Sequence, residues 1–251
     1  MVPLEETVRL AVLAGEVLLR NGAETSRAEE TMGHIARACG AGGVESFVIP
    51  TGVFITVSGK DGRSLTAIRR VSERTINLDR IAKVNALSRS LAEGRVAPTA
   101  ALCQLAAIAK ERTGFGVGLS MLASGGVGGS FAFLQSGGPS EVLAAFAAAL
   151  AVRFFAHVVS KLNGVQFTFE FFGALAAALV GSLAHLFWPG LSRDIVIVGG
   201  IMPLVPGMAI TNAIRDVIAG DLLSGMSRGL EAALTSAAVA MGVVIVLAAN
   251  L

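Results

Sequence analysis

Asn212, Arg215 and Asp216 fall at i, i+3 and i+4, so a helix through them would present an amide, a guanidinium and a carboxylate on one face, with Asp221 in the next turn. Two readings fit: a salt bridge of Arg215 with Asp216 or Asp221, or a polar stripe that meets a charged solute or ion. Immediately upstream, Gly199-Gly200-Ile201-Met202-Pro203-Leu204-Val205-Pro206-Gly207 packs two prolines and three glycines into one apolar stretch. A proline has no N–H to donate, so the carbonyls of Gly199 and Met202 should lose their helical partners. Within a bilayer such backbone survives only where protein or a hydrated cavity satisfies it. A site for ions or polar solutes follows from that reading, and a plain packing kink is the other. Arg153 and His157 at i, i+4, and Glu170 further on, are ionisable groups in apolar surroundings, with Arg153 either paired to Glu170 or snorkelling to the surface.

Bond-making chemistry has less support. Glu24, Glu29, Glu30 and His34 could supply acid and base groups, but acidic residues near a helix start stabilise the helix dipole without any catalytic role. No HExxH or Cys/His pairing occurs. Cys39 and Cys103 form no CxxC and have no histidine cluster beside them, so neither a metal site nor a redox pair is expected, nor any cofactor.

These residues must be held by elements built for two solvents. Charged residues make up 15% of the 251, against about 25% in soluble domains, and the mean hydropathy is +0.70. Fifteen of the twenty Lys and Arg lie in residues 1–112. The chain therefore divides into a water-facing head, 1–112, and a lipid-facing part, 113–251. Crossing a hydrocarbon core about 30 Å thick takes about twenty apolar residues. Five segments qualify, at about 114–134, 142–159, 167–188, 195–213 and 230–249. The basic head, Lys161, and the loop carrying Arg215 and Arg228 point to the cytoplasm by the positive-inside rule, which leaves Leu251 outside; Arg193 dissents weakly beside Asp194. The first residues lack a basic n-region and an apolar core, so no signal peptide is expected. A net charge of +2 with no basic run excludes a nucleic-acid partner.

In the head, Leu4, Val8, Val12 and Leu19 make a helical stripe after Pro3, stopped by Asn21-Gly22. Ser26 and Glu29 have capping-box spacing ahead of Ala28, Met32, Ile35 and Cys39. Residues 44–49, 53–57 and 64–71 read as an antiparallel meander, with Pro50-Thr51-Gly52 and Gly59-Lys60-Asp61-Gly62 between the runs. Asn77 caps a third helix and Pro98 opens a fourth, giving the order ααβββαα. In the membrane part, Gly125 and Gly129, and then Gly173, Ala177 and Gly181, have the small-residue spacing of close helix pairs.

The stretches Asn21-Gly22-Ala23-Glu24-Thr25-Ser26-Arg27-Ala28-Glu29-Glu30-Thr31-Met32, Pro50-Thr51-Gly52, Ile76-Asn77-Leu78, the double-proline segment, Asn212-Ala213-Ile214-Arg215-Asp216 and Gly220-Asp221 resemble the threonine/serine exporter family over almost the whole chain. The resemblance implies a bacterial inner-membrane exporter component for small polar metabolites, threonine and serine in some members and succinate-like dicarboxylates in others. Its site residues would be Gly199, Gly200, Pro203, Pro206, Gly207, Asn212, Arg215, Asp216 and Asp221, with Arg153 and Glu170, and a head motif of Gly22, Glu24, Arg27, Glu29 and Asn77. Split members of the family make two chains, and this sequence corresponds to the larger, head-bearing one. Membrane lipid, a small polar substrate, further copies of the chain and a smaller membrane subunit are the expected partners. A membrane-anchored enzyme or a ligand sensor acting through the head is the alternative.

Overall fold

The computed structural model describes residues 2–72, 74–111, 114–159 and 167–249; Arg112, Lys161 and Leu251, used above for the charge count and orientation, lie outside them. By its contacts the chain forms two compact units, Met1–Thr113 with Met208–Gly229, and Gly114–Gly207 with Leu230–Leu251.

The first unit contains the α+β head. Helix α1 (Leu4–Arg20) keeps Glu5, Arg9 and Arg20 on an exposed face and has ten of its seventeen residues buried. It packs against α2 (Thr25–Ala38), strands β2 (Gly52–Ser58) and β3 (Ser64–Arg70), and helices α3 (Leu78–Ala92) and α4 (Pro98–Lys110). A single stripe at Leu4, Val8, Val12 and Leu19 understates this, because Thr7, Leu10, Ala11, Ala14 and Gly15 are buried as well. Gly15 is required by close approach: a Cβ there would lie 2.3 Å from Met32 Sδ.

The sheet is an antiparallel meander in the order β1 (Gly43–Ile49), β2, β3. Ile49 pairs with Gly52, so Pro50 and Thr51 are the whole of the first hairpin loop. Alternation sends Val53, Ile55 and Val57 inward with Val48 and leaves Phe47 and Ile68 outside. The capping box at Ser26 and Glu29 does not form. Helix α2 starts two residues earlier, after an extended Glu24, and Glu29 instead accepts a 2.7 Å hydrogen bond from Val48 N–H, tying α2 to β1. Asn77 does cap α3, its Oδ1 accepting from Arg80 N–H at 3.0 Å.

The second unit holds α5 (Val117–Leu134), α6 (Pro139–Val159), α7 (Thr168–Phe187), α8 (Arg193–Ile201), a 3-10 turn at Met202–Leu204, and the later part of α10 (Leu222–Ala248). Among the described residues four helices are long and apolar enough to cross a membrane, and Arg193–Leu204 with Gly207–Ile218, the second piece being α9, makes a fifth if counted as one broken span. The last helix begins eight residues ahead of the apolar segment read from position 230.

Small residues set the packing here. A Cβ on Gly199 would lie 2.8 Å from Gly128 O, and one on Gly200 2.7 Å from Ala148 Cβ, so α8 sits backbone-close to α5 and α6. Gly125 and Gly129 face Phe146 and Val142 of α6, and Gly181 faces Ile197 of α8. Glu141 is buried and accepts from Ser192 N–H at 3.1 Å and Ser140 O–H at 2.9 Å, so one carboxylate serves the starts of α6 and α8.

The carbonyls expected to be freed by the prolines are not orphaned. Gly199 O accepts from Met202 N–H and Met202 O from Val205 N–H, both tightened i to i+3 bonds. The chain answers the missing proline donors by winding more tightly for one turn, then going extended at Val205 (φ −64°, ψ 125°).

Candidate functional site

Asn212, Arg215, Asp216 and Asp221 converge with residues 22–25 within the first unit, where α9 and the first turns of α10 meet the loop joining α1 to α2, whereas Arg153 and Glu170 belong to the second unit. Gly22 builds that loop. Its φ of +92° lets Gly22 N–H bond Leu19 O and Ala23 N–H bond Leu18 O, closing α1 and turning the chain straight into α2. Gly220 (φ +93°) repeats the motif at the end of α9, with Gly220 N–H on Val217 O and Asp221 N–H on Asp216 O. Any other residue at either position would be strained.

Four consecutive residues of the first turn are then engaged from the second. Asn212 Nδ2 donates to Gly22 O at 3.0 Å, and one guanidinium N–H of Arg228 donates to Ala23 O at 2.8 Å. Arg215 forms an ion pair with Glu24. Thr25 Oγ1 donates to Asp216 Oδ1 at 2.9 Å, with Asp221 Oδ2 at 3.3 Å as the weaker acceptor for the same single proton. The centre of the cluster is dry: Thr25 is 0%, Asp216 1% and Arg228 7% exposed.

Asp216 Oδ2 lies 3.0 Å from Arg228 Nε, close enough for strong attraction, although these two atoms lack the alignment of a hydrogen bond. Burying a carboxylate and a guanidinium costs several kcal/mol each unless they meet each other and further partners. Here the threonine hydroxyl and the Ala23 carbonyl supply those partners. Asp216 Oδ1 is thus hydrogen-bonded and Oδ2 faces the Arg228 charge, an arrangement that suits holding two helical elements together more than direct capture of a solute.

The salt bridge read within 215–221 is thus replaced: Arg215 pairs with Glu24 and Asp216 with Arg228. Local spacing made Asp216 look like Arg215's neighbour, but adjacent residues point to different sides of a helix, and the loop reaches each of them separately. Arg228 entered the sequence reading only as a loop charge. Neither it nor Thr25 had a local signal, since their partners are remote in the chain. Arg153 Nε donates to Ser120 Oγ of α5 at 2.9 Å, and no ion pair to Glu170 is found among the described residues.

The rest of the head motif braces the loop. Asn21, buried, donates to Val17 O at 2.6 Å and accepts from Arg80 at 3.3 Å, while Asn77 N–H bonds Asn21 O and Thr75 N–H bonds Arg20 O. The Ile76-Asn77-Leu78 segment is thereby pinned beside the α1–α2 turn. Glu29 stands further along α2; burial pushes its carboxyl up, the Val48 N–H pulls it partly back, and the charge of Asp221 adds a smaller upward push. Beside the loop lies a half-open cavity of about 270 Å³ bordered by α2, α3 and α9. Arg27 and Arg215 both line it.

The family described as "Putative threonine/serine exporter" (ThrE) matches residues 9–250. The "Probable succinate transporter subunit YjjP" of Escherichia coli is 26% identical over 246 residues, covering 95% of this chain and 93% of that protein. The "Threonine/serine exporter" of Corynebacterium glutamicum is 23% identical over 243 residues, 94% of this chain but 50% of its own length. A "Probable threonine/serine exporter" of Mycobacterium tuberculosis is 24% identical, with 96% of this chain and 45% of that protein aligned. No solved structure gives a significant match. With the family's pattern running from the first head helix to the last span, the chain belongs to the threonine/serine exporter family.

Proposed function

We propose that this chain is the larger, head-bearing subunit of a bacterial inner-membrane exporter for small carboxylate-bearing metabolites, threonine and serine or succinate, working with further copies of itself and a smaller membrane subunit. The observation that carries this is one of coverage. The chain aligns with nearly the whole of a protein named as a transporter subunit, and with only about half of relatives named as exporters without that word. In this reading residues 1–112 are a cytoplasmic head, residues 113–251 are the membrane domain, and the C-terminus is outside. The substrate path follows the break at Gly199, Gly200, Pro203, Pro206 and Gly207 toward Asn212, Arg215 and Asp221. Asp216 serves it indirectly, by fixing α9 to the head loop, and Arg153 and Glu170 stand as an alternative path.

Export of labelled succinate, threonine and serine from cells making this chain, with and without a co-expressed smaller membrane protein from the same source, tests the assignment. Flux of at least one of the three is expected only when both are present. Flux from the purified chain alone would remove the need for a partner, and none with both present would remove the exporter reading. Orientation is checked separately in a Cys39→Ala, Cys103→Ala background. Gln135→Cys, exposed after α5, should react with an impermeant maleimide added outside, whereas Lys60→Cys, exposed in the β2–β3 turn, should react only after lysis. The reverse pattern would invert the topology.

A further inference from the structure

We propose that the cavity of about 270 Å³ beside the α1–α2 loop is a carboxylate-binding site, with the Arg27 guanidinium as its principal anchor. Two guanidiniums, of Arg27 and Arg215, line one half-open space whose only acidic lining residue is Glu24. Glu24 is already committed to Arg215. That leaves one net positive charge, and Arg27 has no hydrogen bond or ion pair among the described residues. An exposed arginine is ordinarily unremarked, but this one borders a half-open cavity together with two side-chain amides, Asn85 from α3 and Asn212 from α9.

The chemistry matches a small carboxylate. A guanidinium offers a planar fork of N–H donors at the spacing of two carboxylate oxygens, and such charge-assisted pairs are stronger than neutral ones. Asn85 has an amide N–H₂ to add. The remaining wall contains Leu18, Ile81 and Met208, which suits the short carbon skeleton of a metabolite and excludes water from one side of the ion pair. Arg27 also stands in the first turn of α2, a fourteen-residue helix whose positive end favours an anion nearby. A larger groove between α3 and α4 has no guanidinium in its lining: its cations are Lys83, held by both Asp79 and Glu111, and Lys110, with the Glu111 carboxylate beside them.

The inference rests on the exporter reading only for the choice of probe molecules. Binding of labelled succinate and labelled L-threonine to the purified full chain in detergent would be measured directly, without any flux. Saturable binding of at least one is expected, displaced by excess unlabelled compound and not by 1,4-butanediol, which keeps succinate's four-carbon skeleton and lacks both carboxylates. Arg27→Gln should weaken that binding about ten-fold, the size of one lost charge-assisted contact, and Arg27→Lys should restore part of it. The thermal unfolding midpoint should stay at the parent value in both variants, because Arg27 is exposed and holds nothing together. Undiminished binding by Arg27→Gln, displacement by the diol, or no saturable binding of either probe would overturn the proposal. Binding that depends on Arg27 in a chain that never supports flux would leave this site standing and reject the exporter reading; partner-dependent flux with Arg27→Gln binding like the parent would do the opposite.

Discussion

Arg228→Gln is expected to release the α9–α10 turn from the head loop and to cost about 3–5 kcal/mol of the free energy that holds them together, the usual result when one partner of a buried ion pair is removed and the other is left behind. Asp216 would then keep a full negative charge at 1% exposure with only Thr25 to satisfy it. Asp216→Asn should cost a similar amount for the opposite reason, since the Arg228 guanidinium, 7% exposed, would lose the carboxylate charge that faces it at 3.0 Å. The double variant should cost clearly less than the sum of the two, because neither uncompensated charge remains. Trypsin cleavage after Arg27 in the otherwise native full chain reads the opening of this loop, and opening by even 3 kcal/mol would raise the open fraction by about a hundred-fold. If both single variants were cut at the parental rate, the pair would be no clamp. Additivity of the two would show that the ions do not interact.

How much of this was readable beforehand depends on the range of each interaction. Stops and caps written by neighbouring residues were legible: Asn21-Gly22 ends α1 through a positive φ, Asn77 caps α3, and Gly59 to Gly62 turns β2 into β3. The small-residue spacings in α5 and α7 also translate directly, since Gly125, Gly129 and Gly181 each have a neighbouring helix where a Cβ would stand. Polar partners were not legible. Glu29 had the spacing of a capping residue, yet its oxygen goes to Val48 of the sheet, 19 positions away. Thr25 and Asp216 are 191 apart in sequence, and no helical or strand period relates them. The sequence held both ends of the cluster as separate family-like stretches, and only the fold shows that each is the other's partner.

The two prolines of the fourth span should prove unequal. Proline restricts the residue before it, pushing it away from the α region toward extended ψ. Val205, before Pro206, sits at ψ 125°, whereas Met202, before Pro203, keeps helical angles at the start of the 3-10 turn, where a missing N–H is tolerated. Pro206 therefore makes the break, and Pro203 mainly sharpens the turn that precedes it. Replacing an interior proline by alanine favours a continuous helix by about 3 kcal/mol, enough to shift a two-state balance about a hundred-fold. If export requires the broken form, Pro206→Ala should cut flux at least about ten-fold at matched membrane levels, and Pro203→Ala with Pro206→Ala should do no worse than a little beyond that. Pro203→Ala alone should keep most of its flux. Val244→Ala, at an exposed position of α10, is the control that should behave as the parent. Equal losses for the two single variants would mean that the turn and the break act as one unit. Parental flux in the double variant would mean that the segment is a packing kink, shaped by Gly199 and Gly200 against α5 and α6, and would move the search for the path to Arg153 and Glu170.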